Sequence, residues 1–180
     1  MSSDLIIKPL DFDIWEDLAA ICQRHGVELP ASLAGEVGDD YLLISLFDLA
    51  SIEAFNAYAV GLEGIRGTDA MTKTSFRNLP WWMESFWVPL DFDAPIVENG
   101  LFIGSSVRLL GELSRIRAMS AVDIDAPPPG FAEMRAGCTD WFNRGDEPFS
   151  DDHVQQWIWN ALAESGRISI EQNVPITLVP

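Results

Sequence analysis

Few residues in this chain have the types needed for covalent or metal chemistry. Cys22 and His25 stand three apart, close enough on a helix to face one ion, but a structural zinc site takes four ligands. Cys138 and His153 complete such a set only if the fold gathers them. Cys138, Asp140 and His153 also have the residue types of a cysteine–histidine nucleophile site, although chain order says nothing about hydrogen-bond reach. The simpler expectation puts Cys22 in a core and His25 near a helix C-terminus, where a cation is favoured. Carboxylates are plentiful: Asp39-Asp40, Asp91/Asp93, Asp123/Asp125 and Asp151-Asp152 are candidate pairs. An Asp-x-Asp spacing could hold a divalent cation, but turn and cap chemistry explains such pairs more cheaply. The Gly-x-Ser-x-Gly elbow, the phosphate-binding Gly-x-x-x-x-Gly-Lys-Ser/Thr loop and the Gly-x-Gly-x-x-Gly fingerprint are all missing. Gly104-Ser105-Ser106 could seat an anion on helix amides, and ordinary capping accounts for it equally well. The expectation is a protein with no cofactor, no metal site and no catalytic residues.

Charge is the outlying property. There are 28 acidic residues against 11 basic ones, a net charge of −17. A field of that sign repels phosphate backbones and anionic membranes and speeds encounter with a basic surface. The expected partner is therefore a protein with a basic surface, with no nucleic acid and no membrane involved. Two cysteines do not make a disulfide framework. The first residues lack the basic and apolar segments of a signal peptide, and no run of ~18 apolar residues exists. The expected location is cytoplasmic, with reduced thiols.

The elements that must position these groups follow from periodicity. A short strand is predicted at Leu5 to Ile7. A helix capped by Asp13 follows, with one face made of Ile14, Trp15, Leu18, Ile21 and Cys22 and its end at Gly26. Tyr41 to Phe47 reads as a buried strand. Asp48 or Ser51 caps a second helix, with Ile52, Phe55, Ala59 and Leu62 on one face. The Pro80–Pro89 stretch, with Trp81, Trp82 and Trp87, is ambiguous, and Pro89 favours a sheet edge if it forms a strand. A strand at Leu101 to Ile103 leads into a helix capped by Ser105 or Ser106. Its buried face is predicted as Val107, Leu110 and Leu113, with Arg108, Glu112 and Arg115 as a solvated charge stripe. Ser150 caps a last helix on Val154, Trp157, Ile158, Ala161 and Leu162, which Gly166 ends. Arg167 to Ile170 and Val174 to Val179 read as strands. The prediction is an α+β fold, with about four main helices packed on a small mixed or antiparallel sheet. It forms one domain over residues 1–180 with a Pro-rich internal loop near 123–149.

On the last helix, Trp159 lies about 130° from the centre of the apolar face and shares its side with Asp152 and Gln155. Trp159, Asp151, Asp152 and Gln155 are the candidate partner-contact residues. The chain has strong acidity, seven Trp residues, small size and no catalytic motif. Its most distinctive stretch runs from Phe86-Trp87-Val88-Pro89 to Gly104-Ser105-Ser106-Val107-Arg108-Leu109-Leu110. On these features it resembles, at class level, the bacterial immunity proteins. That resemblance implies an antitoxin-type module that neutralises a cognate toxin by tight binding. Two alternatives remain open: a small carboxylate-dependent hydrolase, and an inhibitor that mimics nucleic acid with carboxylates spaced like phosphates.

Overall fold

The strand order of the sheet, β2-β1-β6-β3-β5-β4, interleaves the two ends of the chain. The strands are β1 (Asp4–Ile7), β2 (Leu42–Ser45), β3 (Ser85–Val88), β4 (Ile96–Glu98), β5 (Leu101–Ser105) and β6 (Ile176–Val179). All neighbours are antiparallel except β3 and β5, which makes the sheet mixed. The helices are α1 (Phe12–Arg24), α2 (Leu49–Leu62), α3 (Ala70–Lys73), α4 (Ser106–Met119), α5 (Phe131–Arg135) and α6 (Asp151–Gln172). The computed structural model describes residues 3–36, 41–46, 48–66, 70–81, 84–135 and 150–179. Asp39-Asp40, Phe47, Trp82, Cys138 and Asp140 lie outside the described residues. The α+β expectation holds, with four long α-helices and two single-turn ones among the described residues.

Side chains alternate along each strand and divide the core in two. Trp87 and Phe102 face a cluster built with α2, α4 and α6, which includes Phe55, Leu109, Leu113, Trp157, Ile158 and Leu162. Phe86, Val88 and Ile103 face the other side, where Leu18, Ile21 and Cys22 of α1 cover them. Thus α1 packs on the sheet face opposite the three other long helices. Trp157 is fully buried, donates its Nε1–H to the Ser45 carbonyl at 2.7 Å and meets Phe131 edge-on at 5.2 Å.

Several expectations are corrected here. α6 does not stop at Gly166 but runs on to Gln172, so Arg167 to Ile170 is helix and not strand. Gly166 is there for close approach: a Cβ at that position would stand 2.9 Å from Leu110 Cδ2 of α4. Beside it, the Ser106 and Ser169 hydroxyls meet at 2.8 Å, and Asn173, at φ 54°, caps the end. β3 is a central strand, because Pro89 falls just past Val88 and takes no ladder position. α1 begins at Phe12 with Asp11 at the cap position, and Ile14 is exposed. The buried face of α4 is Leu109, Leu113 and Ile116, while Val107 faces outward. A hairpin went unpredicted: β4 and β5 are joined by Asn99 and Gly100 at φ 53° and 85°, the left-handed pair that a two-residue hairpin turn needs.

Candidate functional surface

Five arginines are paired within the molecule, whereas Arg66 and Arg77 are exposed and form no ion pair among the described residues. Arg108, in the first turn of α4, reaches Asp91 at 2.6 Å and Asp93 at 2.9 Å. Arg117 pairs with Asp125 at 2.8 Å, and Arg167 with Glu164 at 3.0 Å and Glu171 at 2.7 Å. Arg115 lies 4.8 Å above the Phe76 ring and 3.8 Å from Glu63. Arg24 and His25 both engage Glu98, and these hydrogen bonds hold its carboxyl below the ordinary value. The Asp91/Asp93 pair is therefore an arginine clamp, and Asp125 is tied to Arg117. Among the described residues no group of three or more metal-ligating side chains forms.

Among the described residues, exposed carboxylates without an ion pair include Asp48, Glu53, Glu84 and Glu133, singly placed, and two groups. One is α1, where Asp11, Asp13, Glu16 and Asp17 are all exposed, with Glu28 and Glu36 in the chain that follows. Asp13, Glu16 and Asp17 fall within about 6 Å of helix axis. A DNA strand carries one phosphate per ~3.4 Å of axis, so the linear charge density is comparable. The other is the start of α6, where Asp151 and Asp152 are exposed. The Ser150 hydroxyl caps that turn through His153 N at 3.3 Å, and two negative side chains suit the positive helix end. Gln156 donates to the Asp123 carbonyl at 3.0 Å, which ties the exposed Asp123 to the same helix.

The predicted contact residues are placed unequally. Asp151 and Asp152 face solvent. Trp159 is half-buried against the main core, with its Nε1–H donated to the Leu113 carbonyl at 3.0 Å, so α4 tethers it. Gln155 is half-buried, and nothing among the described residues hydrogen-bonds its buried Oε1. Cys22 is a buried free thiol whose pKa burial pushes up to about 11. The acidic run on α1 was not singled out from sequence. The signal was present as acids alternating with Phe12 and Ile14, which are 58% and 41% exposed.

Glu112 departs furthest from expectation. It is buried and not part of a solvated stripe. Its Oε1 accepts from Arg77 N at 2.9 Å, Asn78 N at 3.0 Å and Asn78 Nδ2 at 2.9 Å, and its Oε2 accepts from Asn78 N at 2.8 Å. Burial pushes its pKa up to about 7 against the pull of those donors and of Arg115. Asn78 in turn accepts from Ser105 N and from the Trp87 indole, so Glu112 anchors the segment before β3 to α4.

No helix among the described residues is long and apolar enough to cross a membrane. No curated protein and no solved structure matches the chain. A family model matches residues 82–178, just over half of the sequence. The matched part runs from β3 to β6 and includes Asp123, Asp151 and Asp152. Its subject is DNA mimicry, which overturns the expectation that nucleic acid plays no part and turns the expected protein partner from a cognate toxin to a DNA-binding protein. A DNA-mimic family implies a DNA-binding protein as the partner, and the immunity class gains no support from it. On this match the chain belongs to the family described as "Putative DNA-mimic protein".

Proposed function

We propose that the protein occupies the DNA-contacting surface of a DNA-binding protein and so keeps DNA out. The supporting observation is how charge is distributed. Arg24, Arg108, Arg115, Arg117 and Arg167 are each paired with carboxylates of the same molecule, while the acids on α1 and at the start of α6 have no ion pair among the described residues. A surface of that kind offers what a phosphate backbone offers to Lys and Arg: clustered negative charge. Asp151, Asp152 and Asp123 belong to the part of this surface inside the family match, and Gln155 and the tethered Trp159 lie further along α6. A DNA-binding partner is in keeping with the cytoplasmic location expected from the sequence.

Competition tests the proposal. The full chain is immobilised, and proteins eluted from DNA-cellulose are passed over it at low ionic strength. Retained proteins that duplex DNA displaces, and that an uncharged polymer does not, are the expected result. Asp151→Lys with Asp152→Lys is expected to reduce retention. Retention that duplex DNA leaves intact, or no retention at all, refutes the proposal.

A further inference from the structure

An open groove of about 670 Å³ runs beside α1, on the sheet face opposite α2, α4 and α6. Trp15, Ala19 and Ala20 of α1 form one wall, and Val27 and Leu29 contribute to the other. Glu16 and Glu28 line the same groove, are exposed, and have no ion-pair partner among the described residues. Trp15 is held in place, because its Nε1–H donates to the Pro30 carbonyl at 3.2 Å. Nothing in the family match assigns this groove, since α1 precedes residue 82.

We propose that this groove docks a basic peptide segment of the partner and seats an arginine side chain against the Trp15 ring, with Glu16 and Glu28 supplying the counter-charge. Three features favour that occupant over a plain apolar one. The indole is the strongest of the aromatic faces for a cation, and arginine is the cation most often found on one. The small apolar side chains suit the aliphatic stem of arginine while the carboxylates meet its head. The tethered indole has little rotamer freedom left to lose on binding. Arginine is also the residue that DNA-contacting surfaces use most to reach phosphate and base edges. The identity of the partner rests on the DNA-mimic reading, whereas the chemistry of the groove rests on its own side chains.

The test uses the full chain labelled with 15N and a fluorescein-labelled peptide of alternating arginine and leucine. A second peptide carries citrulline, the uncharged isostere, at each arginine. Three results are expected. The arginine peptide shifts the Trp15 indole resonance, identified by its loss in Trp15→Phe. Anisotropy shows binding weakened about fivefold or more by Glu16→Gln with Glu28→Gln, the range that two exposed ion pairs supply. The citrulline peptide binds more weakly to a similar degree. Glu53→Gln with Glu84→Gln removes the same charge elsewhere on the surface and is expected to change affinity less than about twofold, because distant exposed charges are screened. Equal effects of the two double variants, equal binding of the citrulline peptide, or an unmoved Trp15 resonance overturns the proposal. The two readings fail separately. If peptide binding ignores the groove while duplex DNA still displaces retained proteins, only the groove is wrong. If the peptide seats on Trp15 while no DNA-binding protein is retained, only the mimicry is wrong.

Discussion

Substituting Glu112→Gln isolates the consequence of burying a carboxyl group among amide donors. In the folded protein the group titrates near 7, against an ordinary 4.5, because burial outweighs the N–H groups of Arg77 and Asn78 and the charge of Arg115. Between those two values the folded state holds a proton that the unfolded chain has released. The stabilising contribution is therefore fully present below the unfolded value and is lost as pH rises through the folded one. At about 1.4 kcal/mol per pH unit, a window of roughly two and a half units amounts to on the order of 3 kcal/mol. Glutamine imitates the protonated acid: its carbonyl can take the place of Oε1, which accepts from all three donors, while its NH2 replaces Oε2 and gives up the second bond from Asn78 N, as the O–H of the protonated acid also does. The expected result is equal stability of the two proteins near pH 5 and a growing advantage for Glu112→Gln toward pH 8. Urea denaturation of both proteins at each pH, read as a difference curve, cancels what the two proteins share. Parallel curves, or a variant that loses most at pH 8, would mean that the amide donors hold the carboxylate ionised and that burial does not dominate.

Other substitutions test the packing and the surface. Trp157→Ala removes a fully buried indole and its bond to Ser45, and should cost about 3–5 kcal/mol in chemical denaturation; a loss below about 1 kcal/mol contradicts its place in the core. Gly166→Val, forced against Leu110, should cost about 1–3 kcal/mol, and Leu110→Ala should relieve part of it in the double variant. Cys22, buried and with its pKa raised, should resist iodoacetamide in the native protein at pH 8 and react after denaturation, as read by peptide mass; rapid native labelling contradicts its burial. Once a partner is in hand, added salt should slow its association far more than it speeds dissociation, and salt-insensitive association removes charge from the recognition.

What could be read from the sequence, and what could not, divides along the range of the interactions concerned. The starts of α2, α4 and α6 were legible because Asp48, Ser105 and Ser150 act within three residues, whereas Asp11 makes no side-chain cap bond and α1 was started two residues late. The end of α6 was misread because glycine has two uses. As a local signal Gly166 means a stop, but here it admits Leu110 from a helix some fifty residues away, which only the packed structure reveals. Glu112 was misread for the same reason: its spacing to Arg108 and Arg115 matches a solvated stripe, and its true partners come from the chain before β3. Charge follows the same division. The total of −17 is a property of composition and points to a cationic contact of some kind. What a partner meets is the remainder after internal pairing, and that pairing is long-range: Arg24 engages Glu98, and Arg108 reaches back to Asp91 and Asp93. Each such pair silences a carboxylate that the sequence counts as available. The acids of α1 and of the start of α6 remain active because the fold brings no arginine of the described residues to them. On the proposed function, the recognition surface lies where the basic residues do not reach, and a single neutralising arginine introduced beside Asp13 or Asp152 should weaken partner binding more than the same arginine placed beside Asp91.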